Sequence, residues 1–266
     1  MRKTRALSGP IPNRLWAKSP LVRATGMAGL VLGALMGGAC GGPSGNFYVL
    51  QNQVAGPGCT IPASAGGLYV GQGTLDVRAS AGSGTGYLLF PLLKNDLPGE
   101  GMGGVEPNRI ALDGFDIDLR MMDGPPEAME YFATLAADPV TAALLRYREP
   151  WSGSVDPGGG TTAAITVAFP AEAARLLRAS NTLGDGGGAR VEVQVRATGR
   201  TLSGSLRSDP FKYPVRICDG CLINSISACP AKAPVLQGGV CNPGQDAPVD
   251  CCTEGADLIC PATSAS

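Results

Sequence analysis

Seven of the nine cysteines fall between positions 218 and 260, and seven cannot pair among themselves. With Cys218, Cys221, Cys229, Cys241, Cys251, Cys252 and Cys260 all oxidised, one must bond outside the cluster. Cys59 is the expected partner, stapling the start of the body to the end of the chain. Cys251 and Cys252 are neighbours, and Cα atoms across a trans peptide sit about 3.8 Å apart. Disulfides usually span about 4.4 to 6.8 Å, so these two are expected to reach different partners. The stretch "LQGGVCNPGQDAPVDCCTEGADLIC" is mostly turn residues with little periodicity. Residues 218–266 therefore read as a small module held by disulfides because its core is too small to hold itself.

"RICDGCLINSISACP" contains a C-x-x-C pair. A zinc site would need two more ligands, commonly a second C-x-x-C. The sequence has no second pair and no histidine. A thioredoxin-like redox pair sits at a helix start, whereas "CDGCLINSISACP" follows the strand-like "FKYPVRI" and leads into Ser and Pro. Structural disulfides are the expectation, with no metal and no cofactor.

The absence of histidine also removes the commonest general base and every serine or cysteine triad that relies on one. Neither G-x-S-x-G nor S-x-x-K is present. Glycine-rich "GSVDPGGG" and "GDGGGA" are not followed by Gly-Lys-Ser/Thr, so they are not phosphate loops.

Charge separates the first 39 residues from the rest. They hold six basic side chains (Arg2, Lys3, Arg5, Arg14, Lys18, Arg23) and no acid, while the remainder holds 15 basic and 22 acidic residues. That balance argues against nucleic acid as a partner. After the basic stretch comes an apolar run, Met27–Ala39, of 13 residues without a charge. A helix across a bilayer needs about 20, so the run reads as the core of a signal peptide spanning 1–39. It ends in "GGAC". Those residues resemble the lipobox of bacterial lipoproteins, departing from it at Gly37, where the family prefers Leu. The resemblance implies that Cys40 is diacylated and becomes the new N-terminus. Lipid on Cys40 would leave eight cysteines, a number that can pair fully.

Residues 40–45 read as a tether and 46–217 as a β domain. Short strands are expected in "NFYVLQ", "GLYVG", "TLDVRAS" and "GYLLFPLLKND". In "RVEVQVRATGRTLSGSL", Val191, Val193 and Val195 alternate with polar residues, which predicts a hairpin turning at "ATGR". In "RIALDGFDIDLRM" the alternation slips by one residue at Gly114, the pattern of a β-bulge. Two short helices are expected, "PPEAMEYFATLAADP" with Met129, Phe132, Ala133 and Ala136 buried, and "FPAEAARLLRASN" with Ala173, Leu176 and Leu177 buried. "VTAALLRYR" reads as a further helical stretch. The fold class is mainly β, an antiparallel β-sandwich with two short helices plus a small disulfide-rich C-terminal module.

Asp116 and Asp118, with Asp113 nearby, are candidates for part of a Ca²⁺ site or for a carboxylate pair in a histidine-free hydrolase. A solvated strand face is the simpler reading. Trp151, in the turn-rich "REPWSGSVDP", is a candidate binding anchor. Function is read as non-catalytic: a binding or structural module on a lipid-anchored protein of the bacterial cell envelope, at the outer membrane, with envelope proteins or glycans as partners. The alternatives are the hydrolase and a soluble secreted protein linked by disulfides.

Overall fold

The structure, a computed structural model, describes residues 44–83, 86–99, 106–228, 241–255 and 257–260. The first strands are β1 (Phe47–Asn52) and β2 (Gly73–Asp76), and β2 runs into helix α1 (Val77–Ser83). β3 (Tyr87–Leu89), β4 (Pro91–Asn95) and the long β5 (Ile110–Asp123) follow. Helices α2 (Pro126–Ala137) and α3 (Pro139–Leu145) then lead to β6 (Arg146–Val155), β7 (Gly160–Ala163) and β8 (Thr166–Phe169). α4 (Ala171–Ser180), β9 (Gly188–Thr201), β10 (Gly204–Arg207) and β11 (Phe211–Cys218) complete the body. The tail adds β12 (Ile223–Ala228), β13 (Val249–Glu254) and β14 (Asp257–Ile259).

The central sheet runs β2-β11-β9-β5-β6, with β10 paired to β9. β2 lies parallel to β11, and the other pairs in this sheet are antiparallel. The sheets β1-β4-β7 and β3-β8 share one core with it, along with faces of α2 and α4. The chain is thus mainly β, with cysteine pairs tying its C-terminal part. Val191, Val193 and Val195 are all fully buried, each contributing roughly 1.5 to 3 kcal/mol relative to an exposed side chain.

The tail makes its own sheet, β12-β13-β14, with β12 and β13 parallel. Ala79 of α1 joins Val249, Cys251 and Cys260 in a second small core. The composition boundary at 217/218 falls at the end of β11. Across it, Asp76 N–H donates to Gly244 O (2.8 Å) and Asp246 N–H to Thr74 O (2.9 Å), so a tail segment runs beside β2. Leu75 and Gln245 form an isolated bridge there.

The bulge in β5 lies where the alternation slips. Its register shifts between Leu112 and Gly114 against both β6 and β9, and Gly114 has φ 140°, a region that favours glycine. Ile110 and Leu112 on one side, and Phe115, Ile117 and Leu119 on the other, therefore all face the core. The hairpin turn differs from the sequence expectation. β9 continues through "ATGR" to Thr201, and the chain reverses over Thr201–Gly204, with Gly204 at φ 146°. Gly199 is not a turn residue. It sits opposite the bulge, where a Cβ would meet Ala111 O and Ile110 Cγ2 at 2.7 Å, so its bareness makes room for a neighbouring strand.

Among the described residues four α-helices interrupt the strands: α2 and α4 where two short helices are expected, α3 in the further helical stretch "VTAALLRYR", and α1 unexpected. "TLDVRAS" is half strand and half helix, because Asp76 Oδ1 accepts the N–H groups of Arg78 (2.9 Å) and Ala79 (3.3 Å) in the manner of an N-cap. Asp138 caps α3 through Val140 N–H (2.8 Å), and the helix stops at Leu145, so Arg146–Arg148 are strand. In α2 the buried face is Ala128, Phe132 and Leu135, one position away from that expected, with Met129 42% exposed. "GLYVG" is not a strand and contributes one isolated bridge, Tyr69 to Gln53. Among the described residues, no helix is long and apolar enough to cross a membrane.

Candidate functional site

Polar chemistry gathers at two places along β2, both built partly from the tail. The first is a pocket of about 290 Å³ whose walls include Val54, Val70, Phe90 and Asn242. Its amides are held by the protein. Asn52 Oδ1 accepts Phe90 N–H (2.7 Å), and Gln53 Nε2 donates to Pro62 O and Ser64 O. Gln245 bonds both ways with the backbone of Leu88, at 2.8 Å each. Asn242 Nδ2 donates to Gly86 O and to Gln245 Oε1. Val54 N–H bonds to Leu68 O, which places the exposed Leu68 and Tyr69 next to the pocket.

Asp246 lines the same pocket. The residue as a whole is exposed and has φ 59°, yet its carboxylate is engaged by Tyr87 and Thr74. Oδ2 accepts from Tyr87 Oη (2.7 Å) and Oδ1 from Thr74 N–H (2.6 Å), while the Tyr87 and Tyr213 hydroxyls lie 3.1 Å apart. Burial pushes the Asp246 carboxyl above its ordinary value, against the pull of its hydrogen bonds from Thr74 and Tyr87. Burial, with Asp246 close by, pushes the Tyr87 phenol far up. Tyr213 is pushed up to about 12, mainly by burial.

A carboxyl whose folded value is raised contributes stability below its unfolded value, near pH 4, and that contribution is lost as pH rises through the folded value. Asp246→Asn keeps an oxygen for Thr74 and cannot ionise. The variant is expected to gain stability relative to the parent between pH 4 and pH 7, read by urea denaturation at both. A variant that instead loses ground as pH rises would show that the hydrogen bonds to the ionised form outweigh burial.

The second place is the corner where "CDGC" leaves β11. Cys218 and Cys221 are bonded to each other. Asp76, fully buried at the end of β2, reaches the same loop: Oδ1 accepts Gly220 N–H (2.9 Å) and Oδ2 accepts Leu222 N–H (2.8 Å). Arg78 donates to Asp219 and Asp185, both at 2.6 Å, and these bonds hold its guanidinium well above its ordinary value. Gly186 N–H bonds to Asp219 O (3.0 Å). A carboxylate oxygen of Asp76 and both sulfurs lie within 4.8 Å of one another. Those three atoms are the set that a thiophilic metal would use only with the sulfurs reduced.

The carboxylates singled out in the sequence do not converge. Asp113 pairs with Arg200 (2.9 Å), Asp116 with Arg207 (2.8 Å), and Asp118 with Arg146 (3.2 Å) and Arg120 (3.4 Å). Asp116 and Asp118 share a shallow groove with Arg148 and Arg196, while Asp113 lies on the bulge. This is an outward sheet face carrying cross-strand ion pairs. Trp151 is on β6 and not in a turn. It packs against Phe115 (6.3 Å between centroids) and over Gly153, at the margin of the core.

Cys59 is joined to Cys241, a member of the C-terminal cluster as expected, and Cys251 to Cys260. Cys252 is also disulfide-bonded, and Cys251 is already paired with Cys260, so the neighbours Cys251 and Cys252 take different partners. Cys40 and Cys229 lie outside the described residues. Sequence reasoning missed Asp76, Asp246 and Tyr87. Asp76 had one local signal, an Asp directly before a stretch able to form a helix. The other two had none, since their partners lie far away along the chain. No family model, curated protein or solved structure matches the chain.

Proposed function

We propose that the chain is an exported, lipid-anchored protein of the bacterial envelope, acting as a non-catalytic binding module. The observation that carries this reading is the cysteine balance. All seven described cysteines are disulfide-bonded, and nine is an odd number, so full pairing leaves one cysteine over. The "GGAC" sequence makes Cys40 the residue for lipid, and Cys229 then completes the set. Disulfides are consistent with export to an oxidising compartment, and two acyl chains supply stable attachment.

The pocket beside Asp246 is the binding place in this reading. Its walls are largely apolar, its amides are engaged within the protein, and exposed Leu68 and Tyr69 stand at its side. It offers contact surface to an apolar group of an envelope partner rather than reactive groups. Intact mass of the protein from its native membrane fraction, before and after reduction, tests the anchor. A diacylglyceryl mass on a chain starting at Cys40, with hydrogens gained for four disulfides among the other eight cysteines, is expected. An unlipidated chain in the soluble fraction would overturn it in favour of a secreted protein.

A further inference from the structure

We propose that the Cys218–Cys221 disulfide is a thiol–disulfide exchange site, able to take two electrons from a dithiol while the fold stays in place. The inference does not depend on the lipid anchor or on the pocket.

The bond does little structural work. The other two described disulfides join residues 182 and 9 positions apart, while this one joins residues 3 apart. Loop-closure entropy removed from the unfolded chain rises with loop length, so the smallest constraint comes from the shortest loop. The loop it closes is also held by other means. Asp76 accepts from the N–H groups of Gly220 and Leu222, Arg78 donates to the Asp219 carboxylate, and Gly186 N–H donates to the Asp219 carbonyl. Opening the S–S bond leaves all of these intact.

Access is unequal. Cys218 is fully buried at the end of β11, and Cys221 is half-buried. Exchange proceeds by attack of a thiolate on the accessible sulfur. One thiolate of an external dithiol therefore attacks Cys221 Sγ. The Cys221–Cys218 bond breaks, and its electron pair leaves on Cys218 Sγ, which takes up a proton. The second thiolate of the reductant then attacks its own partner sulfur in the mixed disulfide and releases Cys221, which is protonated in turn. Two electrons and two protons pass to the chain, and the reductant leaves as a disulfide. The reductant is a dithiol by class, such as a pair of cysteines on another exported protein. The helix that usually follows a redox C-x-x-C is absent here, because β12 follows. What fixes this pair is instead a carboxylate from β2, 142 positions away in sequence from Cys218.

The test is graded reduction of the full native chain with dithiothreitol, quenched by alkylation and mapped by peptide mass, with near-UV circular dichroism on the same samples. Cys218 and Cys221 are expected to be alkylated at a dithiothreitol concentration at least tenfold below that needed for Cys59–Cys241 and Cys251–Cys260, with the native spectrum unchanged. Opening of all three together, or opening only as the spectrum collapses, would overturn the proposal. The variant Cys218→Ser supplies a second reading. Its remaining Cys221 thiol should release one equivalent of thionitrobenzoate from Ellman's reagent beyond the parent chain in the folded state and carry the adduct. The complementary Cys221→Ser should stay silent until denatured. A folded Cys218→Ser protein that does not react would equally sink the idea.

Discussion

Replacing Asp76 by alanine is expected to lower the stability of the fold by about 4 to 6 kcal/mol, a loss set by four backbone donors at once. The carboxylate is fully buried and accepts from the N–H groups of Arg78, Ala79, Gly220 and Leu222. An unsatisfied buried donor costs about 1 to 3 kcal/mol, so four would come to about 4 to 12 kcal/mol. Water entering the vacated space offsets part of it. Asp76→Asn keeps one acceptor oxygen but turns an amide donor toward either the α1 side or Leu222, so a loss of about 2 kcal/mol is expected. Urea denaturation without reductant measures both. A loss below about 1 kcal/mol for the alanine variant would mean that the start of α1 and the "CDGC" loop are held by something other than this carboxylate.

The second large effect concerns the staple between Cys59 and Cys241. Its residues are 182 positions apart, and the chain-entropy argument gives about 5 kcal/mol for a loop of that size. The double variant Cys59→Ser/Cys241→Ser is expected to lose about 3 to 5 kcal/mol. Its denaturant slope should rise, because the unfolded chain becomes more expanded. Cys251–Cys260, whose partners are 9 positions apart, should give about 3 kcal/mol or less by the same reasoning. Equal losses from the two pairs would show that loop length is not what governs them. In the folded state Cys241 lines the pocket beside Asp246, so the same variant loosens one wall of the proposed binding place.

What was legible in the sequence was whatever has a local period or a parity. The phase slip at Gly114 located a bulge because alternation is a property of neighbours. The odd count of clustered cysteines pointed to a bond outside the cluster, with Cys59 the expected partner, without any knowledge of geometry. Gly199 was misread because a turn glycine and a glycine that makes room for a strand look identical until the strand is in place. Helix α1 was hidden for a related reason: Val77 and Leu75 favour a strand, and the cap that starts the helix is a matter of hydrogen bonds. The two polar corners along β2 were illegible for the strongest reason. Tyr87 and Asp246 lie 159 positions apart, and Asp76 and Gly220 lie 144 apart. No spacing rule spans such gaps.

The tail segment that runs beside β2 has a consequence for the protein among its own copies. β2 ends the order of the central sheet, and a strand in that position offers unpaired N–H and C=O groups to any extended segment that approaches. Here Gly244, Gln245 and Asp246 occupy that side, bonding to Asp76 and Thr74. The Cys-rich tail thus covers the side of β2 that a second copy could otherwise pair with, and the bond from Cys59 to Cys241 ties that segment to the start of the body. A chain that loses this tie is expected to expose the β2 edge and to associate with its own copies, which sedimentation of the Cys59→Ser/Cys241→Ser variant would show.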